Sequence, residues 1–156
     1  MIASFVALLL QVTPVAPIVK GAALPPPGGE DAAVMAPVEE LLRAIGASDG
    51  NAMLAVTRPE GSATVALEGE RRGVRSFRWA EFAARLKPSA DRFEERLGTP
   101  AIEIDGDVAM VWAPYTALVN GKAEHCGYDH FDLVREGGTW KVLNVTWSQR
   151  TTGCAA

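Results

Sequence analysis

An α+β fold, helices first and an antiparallel sheet afterwards, is what this chain predicts, and three observations carry the prediction. Tight-turn dipeptides at Asp105-Gly106, Asn120-Gly121 and Gly137-Gly138 divide the last third of the chain into evenly spaced pieces. Such pairs accept positive φ at both central positions of a two-residue hairpin turn. The segments between them are rich in Val, Ile, Thr, Tyr, Phe and Trp, residues that suit a pleated, half-buried surface. Almost everything before residue 90 reads as helical or secretory, so the helices precede the sheet and cover one of its faces.

The meander consists of four strands, roughly Arg92–Ile104, Asp107–Val119, Ala123–Arg135 and Thr139–Gln149. Upstream, Pro37 at a first-turn position opens a helix over Val38–Ala47, where Val38, Leu41, Leu42 and Ile45 recur at helical spacing. Asp49 caps a short second helix through Asn51–Val56, which ends before Arg58-Pro59. Ser62–Glu68 reads as an isolated short strand. Ser76 caps a third helix with Trp79, Phe82, Ala83 and Leu86 on one face, and Pro88 stops it.

The 156 residues allow one domain over residues 35–150, and 48% hydrophobic content supplies its core. A net charge of −4 argues against nucleic acid, because phosphate binding needs a basic face. Arg71, Arg72, Arg75 and Arg78 form a local basic cluster, but Glu68 and Glu70 precede it and a solvated loop face accounts for it. Ile2–Leu10 is a short apolar run, too short to cross a membrane as a helix and suited to a signal-peptide core. Residues 1–23 are therefore expected to be a signal segment, the chain's one membrane contact, with small residues Gly21-Ala22-Ala23 before the cut. Residues 24–34 follow as a flexible leader and 151–156 as a tail. A periplasmic or secreted protein is implied. Cys126 and Cys154 agree with export, since an even pair in an oxidising compartment is expected to be bridged. The bridge would bring the tail back onto the third meander strand, where Cys126 is expected opposite Gln149. His125 and His130 lack metal-ligand spacing, and no cofactor motif is found.

The segment AIEIDGDVAMVWAPYTALVNGKAEHCGYDHFDLVREGGTWKVLNVTW resembles the nuclear transport factor two-like, or SnoaL-like, superfamily. Gly106-Asp107, Tyr115, Gly121, Gly127, Phe131–Arg135 and Gly138–Val142 carry the likeness, which is nearest to that superfamily's lumazine-binding branch. The resemblance implies a cone, a curved antiparallel sheet with three N-terminal helices packed on its concave face. It says little of activity, because this cone hosts isomerases, cyclases, dehydratases and many non-catalytic proteins.

Centring the last two turns on Asn120-Gly121 and Gly137-Gly138 pairs Trp112 with Asp129, Met110 with Phe131 and Val108 with Leu133. It pairs Asp129 further with Thr146, Phe131 with Asn144 and Leu133 with Val142. Alternation then puts Met110, Trp112, Asp129, Phe131, Asn144 and Thr146 on one face, apolar at one end and polar at the other. Such a face suits a pocket for a small, partly apolar ligand. The opposite face, with Tyr128, His130, Asp132, Leu143, Val145 and Trp147, is a candidate homodimer surface. A one-residue slip exchanges the faces and passes the site to Tyr128, His130 and Asp132. The expected function is binding without catalysis. The alternative, from the resemblance, is an isomerase, cyclase or dehydratase with Asp129 as general base, its pKa raised on an apolar wall.

Overall fold

The structure is a computed structural model that describes residues 29–154. The expected signal segment and the start of the leader lie outside the described residues. In chain order the elements are α1 (Gly29–Gly46), α2 (Gly50–Val56), β1 (Thr57–Leu67), a 3₁₀ turn (Gly69–Arg71), β2 (Gly73–Arg78) and α3 (Trp79–Arg85). Then follow β3 (Phe93–Leu97), β4 (Ala101–Asp105), β5 (Val108–Val119), β6 (Lys122–Glu136) and β7 (Thr139–Gln149). The strands form one curved sheet in the order β2-β1-β7-β6-β5-β3, with β4 also paired to β5. Only the β1–β7 pair is parallel. The α+β plan with three helices over one sheet face is as the sequence predicts.

Helix α1 begins at Gly29, well ahead of Pro37, and takes in part of the segment expected to be a flexible leader. Glu30 and Asp31 sit in its first turn, where negative charge complements the helix dipole. Val34 is fully buried beside Val38 and Leu41, so packing holds the helix through a proline that removes one N–H from its ladder. Asp49 caps α2, its side chain accepting from the N–H of Ala52 at 2.9 Å. Ser76 does not cap α3. It lies in β2 bonded to Thr64, and the N-cap is Arg78, whose N–H donates to Glu81 at 3.2 Å. The strand expected to be isolated is β1, paired on both sides, and the first meander strand is two, divided at Gly98–Pro100.

All three turns form. Asn120 and Gly121 both have positive φ, as do Gly137 and Gly138, while the first turn is Gly106-Asp107 with positive φ at Gly106 alone. The pairings next to the turns are as expected, Val119 with Lys122 and Leu133 with Val142. Two β-bulges then change the register. Glu124 is an extra residue in β6, so that Ala117 faces His125, Trp112 faces His130 and Asp129 faces Ala113. Leu143 is an extra residue in β7, so that Asp129 faces Trp147 and Phe131 faces Val145. A bulge opposes two residues to one, so beyond it each residue shares its face with a partner one position away from the register that the turn sets. The β6 half of the predicted inner face survives, and the β5 half is inverted: Ala109, Val111, Ala113, Tyr115 and Ala117 point inward.

The bulge at Leu143 is built into the tertiary structure. Its carbonyl accepts the indole N–H of Trp79 at 2.8 Å. Gly61 passes so close that a Cβ there would lie 1.7 Å from that oxygen. Gly127 is required for the same reason, with the Ser148 oxygen 1.9 Å from an added Cβ.

Cys126 and Cys154 form a disulfide, with Cα atoms 5.5 Å apart. The extra residue in β7 puts Arg150, not Gln149, opposite Cys126, and the two backbones exchange hydrogen bonds of 2.9 and 3.0 Å. The bridge closes a sequence separation of 28 residues, which predicts a loss of about 3 kcal/mol in the Cys126→Ser, Cys154→Ser double variant. Denaturant unfolding without reductant measures it, with wild type in reductant expected to match the variant.

Candidate functional site

Across the β5–β6 pair, each polar group of this site faces an alanine or a glycine. Asp129 pairs with Ala113 and His125 with Ala117, while Gly127 between them pairs with Tyr115. These small residues leave room on the concave sheet face, and the helices roof it with Leu41 and Ile45 from α1 and Phe82 from α3. The result is a cavity of about 600 Å³. Its walls are apolar for the most part, with Phe93, Phe131, Val145 and Trp147 from the sheet. The Phe82 and Trp147 rings stack at 6.5 Å. Exposed Arg85, Lys87 and Asp91 stand at the rim, and Glu95, His125 and Asp129 make one polar end.

Asp129 is 3% exposed and its Oδ2 has no hydrogen-bond partner. Its carboxyl interacts with that of Glu95, which β3 delivers to the same face as Phe93 and Leu97. Burial is the largest cause raising the pKa of Asp129, followed by the charge of Glu95 and the hydrogen bond between them. Burial also raises Glu95, opposed by its hydrogen bond from Asp129. Two carboxylates cannot both ionise in one desolvated place, so the pair shares a proton.

Tyr115 is 3% exposed and its hydroxyl donates to the Ser148 carbonyl at 3.0 Å. That carbonyl can only accept, so the same hydroxyl must accept from Nδ1–H of His125 at 3.1 Å. The tautomer this assigns leaves Nε2 of His125 with a lone pair. Burial lowers the pKa of His125, and the nearby Glu124 opposes the shift in part. Tyr115 is raised above an ordinary phenol, first by burial and then by the charges of Asp129 and Glu95. The end of the cavity thus holds a carboxyl pair with one shared proton and an imidazole whose pKa burial lowers.

Of the residues expected to bind ligand, Asp129 and Phe131 line the cavity. Met110, Trp112, Asn144 and Thr146 are on the outer face instead, because the two bulges shift β5 and the end of β7 by one residue. Trp112 is 45% exposed there and stacks on Tyr128 at 5.2 Å. Asn144 accepts from the N–H of Ser62 at 3.1 Å, a link between strands. His130 and Asp132 stand 3.6 Å apart on this face, outside the cavity. Among the described residues no cluster of three or more metal-ligating side chains occurs. Sequence reasoning missed Glu95, His125, Tyr115, Phe82 and Trp147. A signal for Glu95 was present in Phe93-Glu94-Glu95-Arg96-Leu97, where alternation puts Glu95 between two apolar neighbours on the same face.

The family described as "Putative lumazine-binding" matches residues 29–148, and the chain belongs to it. No curated protein matches by sequence. Solved structures share the fold. A Mycobacterium tuberculosis protein of unknown function is 19% identical with a TM-score of 0.61, over 78% of this chain and 72% of that one. An NTF2-like protein with a cystatin-like fold from Novosphingobium aromaticivorans is 15% identical with a TM-score of 0.62, over 80% and 83%. An NTF2-like protein from Cytophaga hutchinsonii is 13% identical with a TM-score of 0.63, over 79% and 99%. At such identities the likeness carries the fold alone.

The carboxyl pair predicts a pH dependence of stability. Raised folded pKa values mean that the folded state binds more protons than the unfolded state between the two pKa values. The pair's contribution is therefore complete below the unfolded carboxyl range and is lost as pH rises through the folded values. Asp129→Asn removes the coupling and is expected to stabilise the protein at pH 8 by on the order of 2 kcal/mol, with no gain near pH 4. Thermal melts of variant and wild type across that range check it, the difference cancelling the opposite contribution of His125.

Proposed function

We propose that this member of the lumazine-binding family takes a small, partly apolar molecule into the cavity. The flat body of the ligand lies against Phe82 and Trp147, and its polar group meets Asp129, Glu95 and His125. The observation that carries the reading is the distribution of polarity, an aromatic and aliphatic wall with a single polar end. The family's description supports a small ligand and names a planar bicyclic one, which a cavity of about 600 Å³ accommodates. Binding without turnover is preferred, because burial raises the pKa of Asp129 and disfavours the ionised form that a base needs at neutral pH. The second reading, an isomerase, cyclase or dehydratase, is favoured by the acid and the imidazole at one end of a desolvated site. Asp129 would then serve as the acid more readily than as the base.

Thermal-shift screening of the folded domain against a metabolite library, lumazine included, tests the reading. A hit should lose about tenfold in affinity with Trp147→Ala, which removes apolar contact and stacking. Trp112→Ala should leave affinity unchanged, since Trp112 faces away. Under the second reading, His125→Ala abolishes turnover of the hit while retaining its binding.

The proposal extends to export. The disulfide and the apolar start of the chain support a mature protein beginning near residue 24, outside the cytoplasm. Intact mass of protein recovered from its host decides this, a full-length cytosolic product being the contrary result. Self-association through the outer sheet face belongs to the same proposal, supported by exposed Val108, Trp112 and Tyr128.

A further inference from the structure

The cavity's polar end carries a negative charge with no cation to meet it. No lysine or arginine is among the groups acting on Asp129 or Glu95. The arginine ion pairs of the described residues lie elsewhere, such as Arg96 with Glu94 and Arg135 with Asp107. Arg85, at the rim, lies over the Phe77 ring, its Cζ 4.6 Å from the centroid. Asp129 borders the cavity, and its buried Oδ2 has no hydrogen-bond partner. A buried acceptor without a donor, and a buried charge without a counter-ion, are both costly. The surrounding wall adds a second attraction of the same sign, since the faces of Phe82, Phe93, Phe131 and Trp147 carry partial negative charge.

We infer that the ligand of this cavity is an organic cation, an ammonium or amidinium group on a flat apolar body, with its N–H donating to the Asp129 carboxyl and its charge set against the Glu95–Asp129 pair. This deepens the small-ligand reading and rests on it. It also fixes the sign of a pH effect. In acid the pair is fully protonated and attracts no cation, and as pH rises the pair acquires its charge and binding strengthens. The titratable and charged groups around the pair are Tyr115, His125, Arg85, Lys87, Asp91 and Arg150. Burial raises the pKa of Tyr115 and lowers that of His125, so neither gains the negative charge that the pair acquires.

Three naphthalene probes of one shape test the inference against the intact folded domain: 2-naphthylmethylamine, 2-naphthylmethanol and 2-naphthoate. Titration calorimetry should show the amine binding at least tenfold more tightly than either of the others at pH 7.5. The amine's affinity should rise between pH 5.5 and 8, and the double variant Asp129→Asn, Glu95→Gln, which removes the charge altogether, should remove most of its advantage. Equal or tighter binding of the alcohol or the carboxylate overturns the inference of a cation and leaves the cavity reading standing. An amine preference that persists undiminished in the double variant also overturns it. Failure of all three probes to bind overturns both.

Discussion

The indole N–H of Trp79 donates to the carbonyl of Leu143, and around that bond the sheet accommodates one residue more than its turn requires. Gly61 is the complement of the bond, because no other residue lets β1 pass so near the same oxygen. What lies beyond Leu143 on β7 takes its direction from this. Val145 and Trp147 turn inward, Trp147 comes opposite Asp129, and Arg150 rather than Gln149 meets Cys126. The bulge thus joins helix α3, the aromatic wall of the cavity and the disulfide in one arrangement. Buried Trp79 is the common anchor.

The second bulge, at Glu124, does for β5 what Leu143 does for β7. It moves Trp112 to the outer face and brings Ala113 and Ala117 to the inner one. Those alanines are what make a polar site sterically possible. A larger residue in place of Ala113 or Ala117 would fill the space that the cavity occupies. Tyr115 lies between them and reaches past Gly127 to Ser148, so its hydroxyl orients His125 instead of entering the cavity. Space and orientation at the polar end both come from small residues placed opposite large or polar ones.

A carboxyl pair without a cation is an expensive feature for a fold to keep, since burial penalises the charged form and the hydrogen bond between the partners offsets only part of that on Glu95. Its retention beside an apolar cavity fits the general pattern in which strained electrostatics gather where a protein binds or reacts. The outer face offers a contrast. There Trp112, Tyr128 and His130 stack among themselves with solvent access, and Asp132 finds Asn144 and His130. Those groups have their partners already. The inner end does not.

Much of the architecture was legible in the chain because it depends on local chemistry. Glycine pairs at positive φ place the turns, Asp49 caps α2, and alternation on β6 correctly sends Asp129, Phe131 and Leu133 inward. The pairing of the two cysteines also follows, from their number and from a tail short enough to return. The face of β5 and the end of β7 were decided by tertiary structure. Turn chemistry sets register only as far as the first bulge, and neither Glu124 nor Leu143 announces itself as one. Leu143 is displaced by a bond from Trp79, 64 residues away. Glu95 and His125 became site residues only when curvature brought β3 and β6 to one cavity, a meeting no local pattern encodes. The sequence by itself therefore determined which elements form and where they turn, through φ preference, capping and alternation. The tertiary structure decided which side chains share the cavity, because a one-residue shift in a strand reverses every side chain beyond it.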